Sequence, residues 1–204
     1  MLAFYRVYRE GKNFFDSGDY TKAYDIYTQG DKNGNIYCSF AMAQCLINGI
    51  GIKKDIASAQ KIFKRIFPIL KNMAEQGDTT AQIQVGCMYE LGGGVEQNEE
   101  QAVYWFTVAA KQGNIEAQHI LAEMYTEGDL VEENQEQAVY WFTQAANQGD
   151  AEAQYFLAGR YADGIGVEKN HEQAVYWCTQ AAEKGYEDAQ FLLEELYDEE
   201  DDEE

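Results

Sequence analysis

Apolar residues recur along this chain with helical spacing, and the pattern itself repeats. After Asn98, the residues Ala102, Trp105, Ala109 and Ala110 fall on one side of a helix. Before it, Ala81, Val85, Met88 and Tyr89 do the same. The later segment reads EQAVYWFTVAAKQGN from Glu100, EQAVYWFTQAANQGD from Glu136 and EQAVYWCTQAAEKGY from Glu172, at intervals of 36 residues. The earlier one reads AQIQVGCMYELGGGVEQN from Ala81, AQHILAEMYTEGDLVEEN from Ala117 and AQYFLAGRYADGIGVEKN from Ala153, and AQFLLEELY from Ala189 begins a fourth copy. A fixed period of this length marks a repeat architecture in which each copy is one supersecondary unit. The unit reads as helix A, a glycine loop, helix B and a glycine turn. Gly92, Gly128 and Gly164 stand where helix A must stop, and Asn98, Asn134 and Asn170 where helix B starts. Glycine tolerates the positive φ of a helix end, and asparagine caps a helix start.

These residues resemble the Sel-one-like repeats (SLR), relatives of the tetratricopeptide repeats. The shared pattern is an Ala-rich helix ending Met-Tyr, a Gly-x-Gly-Val loop, then Ala-x-x-Trp followed by Ala-Ala and a glycine. Residues 79–198 carry it in register. The resemblance implies an all-α fold, an α/α solenoid whose helical hairpins stack in a right-handed superhelix, and a role as adaptor or binding scaffold. One copy departs: Asp129-Leu130 stands where the others have Gly93-Gly94 and Ile165-Gly166, which predicts a loop of different shape.

The start of the chain is less regular. NGNIYCSFAMAQCLINGIGIKKDIASAQ aligns from Asn33, but Gly34 and Gly77 are 43 residues apart. The seven extra residues fall in KIFKRIFPILKNM, where a longer helix B would keep its buried face and Pro68 argues for a kink or break. GKNFFDSGDYTKAYDIY resembles a tetratricopeptide hairpin through Gly11, Phe14, Gly18, Asp19, Tyr20 and Ala23. The expected organisation is one solenoid over 1–198. It comprises a divergent hairpin (1–32), an extended repeat (33–78), regular repeats (79–114, 115–150, 151–186) and a capping helix (187–198). A disordered acidic tail (199–204) follows.

Charge narrows the partners. Against 15 basic residues stand 36 acidic ones, a formal net charge of −21. EELYDEEDDEE, from Glu194 on, carries much of it, but the rest of the chain is acidic too. Such a field disfavours nucleic acid and anionic membranes and attracts a basic protein. No apolar run is long enough for a membrane helix, and MLAFYRVYRE lacks a signal core, so a cytoplasmic protein is expected. The four cysteines form no Cys-x-x-Cys. Cys38 and Cys45 lie about 10.5 Å apart along one helix, too far for a disulfide. Some secreted members of the family pair cysteines within each hairpin; that pattern is missing here, which agrees with a reducing compartment.

Chemistry is sparse. The Gly-rich stretches lack the Gly-Lys-Ser/Thr of a phosphate loop. His119, Glu123 and Cys87 have no helpful metal-ligand spacing, and Cys178, replacing Phe106 and Phe142, reads as a small core residue. His171 reads as a solvated side chain. No catalytic residue, metal or cofactor is assigned, and the protein is expected not to be an enzyme.

The columns that differ between copies carry the functional expectation. Ile83/His119/Tyr155/Phe191, Cys87/Glu123/Gly159/Glu195 and Glu90/Thr126/Ala162/Asp198 are spaced +4 and then +3 on helix A. A stripe not fixed by packing is a surface, and A helices line the concave side of a stacked array, which solenoids use for binding. Ile83, Cys87, Glu90, His119, Glu123, Thr126, Tyr155, Gly159 and Phe191 are the expected partner-binding residues. The expected function is a non-enzymatic protein–protein interaction scaffold for a basic partner. One alternative is a cytosolic immunity protein or inhibitor of a basic toxin such as a nuclease. A second is a hydrolase of cell-wall material. Finally, Lys53, Lys54, Lys61, Lys64, Arg65 and Lys71 form a basic island opposed only by Asp55. The acidic tail is too short to reach back across about four hairpins of ~10 Å each. Weak head-to-tail self-association between two copies is therefore the feasible contact.

Overall fold

A computed structural model describes the backbone from Leu2 to Asp202 and the side chains of residues 6–198. Among these residues every regular element is an α-helix: α1 (Leu2–Asp16), α2 (Tyr20–Lys32), α3 (Ile36–Asn48), α4 (Ile56–Glu75), α5 (Thr79–Leu91), α6 (Glu99–Lys111), α7 (Ile115–Glu127), α8 (Gln135–Asn147), α9 (Ala151–Asp163), α10 (His171–Glu183) and α11 (Glu187–Asp202). Odd-numbered helices are A and even-numbered ones B. The chain forms an α/α solenoid in two compact units, Met1–Trp105 and Phe106–Glu204.

Local chemistry sets the helix boundaries. Asn35, Asp78, Asn114 and Asp150 cap the A helices α3, α5, α7 and α9 with their side-chain oxygens. Asn134 and Asn170 cap α8 and α10, and Asn98 accepts from the Gln101 amide at the start of α6. The same four A helices end on Gly49, Gly92, Gly128 and Gly164, all left-handed. Two residues later the backbone turns left-handed again. A side chain on Gly94 would put its Cβ 2.4 Å from the Lys64 nitrogen, and one on Gly166 would lie 2.2 Å from the Gln135 carbonyl oxygen. Leu130 occupies that position in the intervening copy with φ 59°. The loop expected to differ therefore keeps the shape of its sisters, at a backbone cost of roughly 1–2 kcal/mol for a non-glycine residue.

In the first unit, Gly11 lies against the Tyr27 ring and Gly30 against Cys38, where a Cβ would lie 2.3 Å and 2.4 Å from the nearest side-chain atoms. These contacts draw α1, α2 and α3 together. The extra residues lengthen α4 to 20 residues, against 13 in α6. Pro68 neither ends nor interrupts it. Ala59, Phe63, Ile66, Leu70 and Ala74 form its buried side, whereas Pro68 is exposed. The carbonyl of Lys64, deprived of its donor by the proline, belongs to a residue that also faces water.

The second unit buries Ala158, Ala174, Cys178, Ala181, Ala189 and Leu196 around α9, α10 and α11. Cys178 donates to the Ala189 carbonyl at 3.0 Å, in agreement with a core role. Trp105 and Trp141 are buried, but Trp177, in the same column, is only half-buried. Among the described residues, α11 alone follows α10. His171 is half-buried rather than solvated. α11 runs on to Asp202, beyond the expected end at 198; the side chains of residues 199–202, and Glu203 and Glu204 entirely, lie outside the described residues. No helix among the described residues is long and apolar enough to cross a membrane.

A buried glutamine follows the alanine that opens the A-helix pattern on α5, α7 and α9. Gln82, Gln118 and Gln154 donate to the carbonyls of Ala74, Ala110 and Ala146 at 2.9, 3.1 and 3.0 Å. From the end of the B helix in the same repeat, Gln148 donates to the Gln118 side-chain oxygen at 2.8 Å, and Lys184 to that of Gln154 at 3.0 Å. The motif Ala-Gln is thus a polar rung that ties α5, α7 and α9 to the preceding B helix, and α7 and α9 also to the end of the B helix that follows.

Candidate functional site

The variable columns do not form one uniformly open stripe. On α5, Ile83 is 6% exposed, and Cys87 and Glu90 are half-buried. Drift at this column therefore reflects packing as well as solvent. On α7, α9 and α11 the exposure is graded. His119, Thr126, Tyr155 and Gly159 are half-buried, the Glu123 side chain is 56% exposed and Phe191 is 67% exposed.

His119 is held from several sides. Its Nδ1 lies 3.6 Å from the Asp150 carboxylate that caps α9, and its Nε2 3.6 Å from Glu123 one turn along α7. Its ring meets Phe142 and Phe156 edge-on, with centroids 5.5 and 5.9 Å away. Asp150 holds the imidazole's pKa above its ordinary value of 6.5 against the opposing effect of burial, and Glu123 and Glu152 add to the rise. The histidine in turn holds Asp150 below its usual range. Burial, set against the attraction of His119, leaves the Glu123 carboxyl above its usual range.

The sign of the pH dependence follows. A raised histidine pKa contributes stability that is fully present below pH 6.5 and is lost as pH rises through the folded value. The depressed Asp150 contributes above its unfolded value of 3.8 and loses that contribution as pH falls through the folded one. His119→Gln should therefore lose most between those limits, on the order of 1 kcal/mol, and little near pH 8. Urea midpoints of both proteins across this range measure it; a pH-independent difference would mean that the ring acts by packing alone.

Aromatic surface continues outward from His119. Phe142 stacks on Phe156 at 5.3 Å; Tyr155 meets Phe156 at 5.6 Å and Tyr186 at 5.1 Å. Phe156 is partly exposed. Carboxylates surround these rings. Glu152 acts on His119, Glu123 and Tyr186, and Asp188 and Asp150 act on Tyr186, whose phenol burial and these charges together raise. Glu152, Phe156, Tyr186 and Asp188 thus join the variable columns, although no periodicity in the sequence singles them out.

Arg160 also escaped the sequence reading. It stands in the column of Met88, Met124 and Leu196 and is 8% exposed. Its guanidinium donates to the Thr126 hydroxyl and the Gln135 side-chain oxygen and lies 5.2 Å from the Phe142 ring centroid. Burial lowers its pKa. It makes no ion pair among the described residues, so it braces α7, α8 and α9 through neutral acceptors. An arginine in an otherwise apolar column was its only signal.

This arrangement is suited to holding a cation: ring faces attract positive charge, and the flanking carboxylates pair with it. The three buried cysteines are poor nucleophiles. Burial raises the thiols of Cys38, Cys45 and Cys178 to about 12, 11 and 11, so they stay protonated at neutral pH. Among the described residues no group of three or more His, Cys, Asp or Glu side chains is placed to hold a metal ion.

Known proteins share this repeat. The Sel1 repeat pattern matches residues 36–66, 79–114, 115–150 and 151–186. A Sel1 repeat protein from Oxalobacter formigenes is similar at 37% identity over 64% of this chain and 98% of its own, with a TM-score of 0.61. A putative Sel1 repeat protein from Klebsiella pneumoniae subsp. pneumoniae shares the fold at 18% identity, over 95% and 93% of the two chains, with a TM-score of 0.56. Immunity protein Pa5087 from Pseudomonas aeruginosa does so at 16% identity, over 89% and 81%, with a TM-score of 0.53. The comparison with curated proteins gave no match. The four matched repeats and the similarity across nearly the whole Oxalobacter chain place this protein in the Sel1 repeat family.

Proposed function

We propose that this protein is a non-enzymatic interaction scaffold that grips a basic segment of a protein partner on the exposed side of α7, α9 and α11. The Sel1 fold typically serves protein interaction. The observation that carries the finer reading is the aromatic surface of Tyr155, Phe156 and Tyr186, set among Glu123, Glu152 and Asp188, with the exposed Phe191 on α11. Aromatic side chains are frequent interface anchors, and a field of net charge −21 speeds the approach of a basic partner. A cytosolic inhibitor of a basic toxin is a specific form of this reading, and an immunity protein uses the same fold.

The test is capture from native lysate at low salt. The variant Glu123→Lys, Glu152→Lys, Phe191→Ala changes only exposed side chains and should retain its helicity. It should capture basic proteins at least about tenfold less well, a loss of ~1.4 kcal/mol. Changing Gln144 and Lys169 on the B-helix side should leave capture intact. Equal capture by both variants, or an eluate of acidic proteins, would refute the reading.

A further inference from the structure

The helix that carries the seven additional residues also carries the clearest charge reversal in the molecule. Lys61, Lys64 and Arg65 are exposed on α4, one turn apart, with Lys71 half-buried further along and Lys53 and Lys54 exposed in the loop before it. Asp31 pairs with Arg65, and Asp55 caps α4 close to Lys61. Lys53, Lys54, Lys64 and Lys71 make no ion pair among the described residues, so the stripe keeps a net positive charge.

The complementary element is α11. It has no basic residue in its last turn, and the sequence there is DEEDDEE from Asp198. A helix C-terminus carries partial negative charge, so consecutive carboxylates at that end repel both the helix dipole and one another. External cations relieve both effects. The stripe from Lys61 to Lys71 is about 15 Å long at a helical rise of 1.5 Å per residue. Seven residues span roughly 10 Å as helix and about 25 Å when extended. The acidic segment can therefore cover the stripe in either conformation.

We infer that the basic stripe of α4 docks the acidic segment 198–204 of a second copy of this chain. The contact is heterologous: each copy offers one donor surface and one acceptor surface, and nothing limits the assembly to two unless a ring closes. Its strength depends on salt. The whole molecules repel one another, but at physiological ionic strength screening beyond about 8 Å leaves mainly the charges in direct contact. Association should thus be weak, present near physiological salt and absent at about 1 M, where the screening length falls to about 3 Å. This inference does not depend on the proposed partner face, which lies on α7, α9 and α11.

Trans-complementation tests it. One variant lacks residues 198–204 and keeps the stripe; the other carries Lys53→Glu, Lys61→Glu and Lys64→Glu and keeps the acidic segment. By sedimentation near physiological salt, the full chain should gain mass with concentration, and each variant alone should remain monomeric. Their mixture should form a one-to-one heterodimer and go no further, because only one contact can be made. Replacing the same lysines by glutamine should weaken the heterodimer without abolishing folding, which circular dichroism checks. A full chain that stays monomeric, a truncated chain that associates as the full one does, or a mixture without heterodimer would overturn the proposal. So would a stripe that binds a short DNA duplex but not a labelled peptide of sequence DEEDDEE.

Discussion

Trp141→Ala should destabilise the protein by about 3–5 kcal/mol, within the range for deleting a buried aromatic side chain. Trp141 is 6% exposed, and its ring meets that of Tyr140 edge-on at 4.9 Å. The loss combines the transfer of a large apolar surface with a cavity that the surrounding alanines are too small to fill. Ala138, Ala145 and Ala146, on the same helix, are buried. An internal control exists in the sequence. Trp177 occupies the same column and meets Tyr176 in the same geometry, yet it is half-buried. Trp177→Ala should cost roughly half as much, since the transfer term scales with the apolar area removed from water. Urea denaturation followed by circular dichroism measures both. Equal losses would mean that position in the repeat, rather than burial, sets the contribution.

That comparison also shows where sequence reading stops. The helix boundaries were legible because their causes are local: Asn134 caps the helix that begins next to it, and Gly128 ends the helix just before it. The period of 36 residues gave the order of hairpins for the same reason. Burial across the stack was legible only by column, and columns are uniform only where each copy has equivalent neighbours. Trp177 departs in the last complete repeat, where its column is half-buried rather than buried. Ile83 departs because an apolar side chain fills a place where His119 reaches Asp150 and Tyr155 reaches Tyr186. Leu130 holds a left-handed backbone that its own chemistry disfavours, at the position where the sister loops have Gly94 and Gly166. At the candidate site, variability drew attention to His119, Glu123 and Tyr155. The residues that complete the surface, Glu152, Phe156, Tyr186 and Asp188, come together through tertiary packing. Nothing in the spacing of one helix announces them.

The repeating glutamine offers the sharper test of how the stack is held. Gln118→Glu replaces one amide nitrogen by oxygen and changes neither length nor shape. In the native chain that nitrogen donates to the Ala110 carbonyl, and the other amide atom accepts from Gln148. The site is 4% exposed. An ionised carboxylate there would set oxygen against oxygen and lose its hydration, so the folded protein should hold the new group in its protonated form. Protonated, it can still donate to the Ala110 carbonyl. Burial of this kind raises a carboxyl pKa by up to 3–5 units, and each unit corresponds to about 1.4 kcal/mol. The sign is fixed by linkage. A folded pKa above the unfolded value near 4.3 means that the folded state binds the additional proton, so the penalty grows as pH rises. The variant should lose about 1 kcal/mol near pH 4 and about 3–5 kcal/mol near pH 8. Gln190→Glu, at the exposed fourth member of the column, should change stability by no more than about 0.5 kcal/mol at either pH. A pH-independent loss at Gln118 would mean that water reaches the rung, and that the recurrence of Ala-Gln reflects something other than a buried hydrogen bond between repeats.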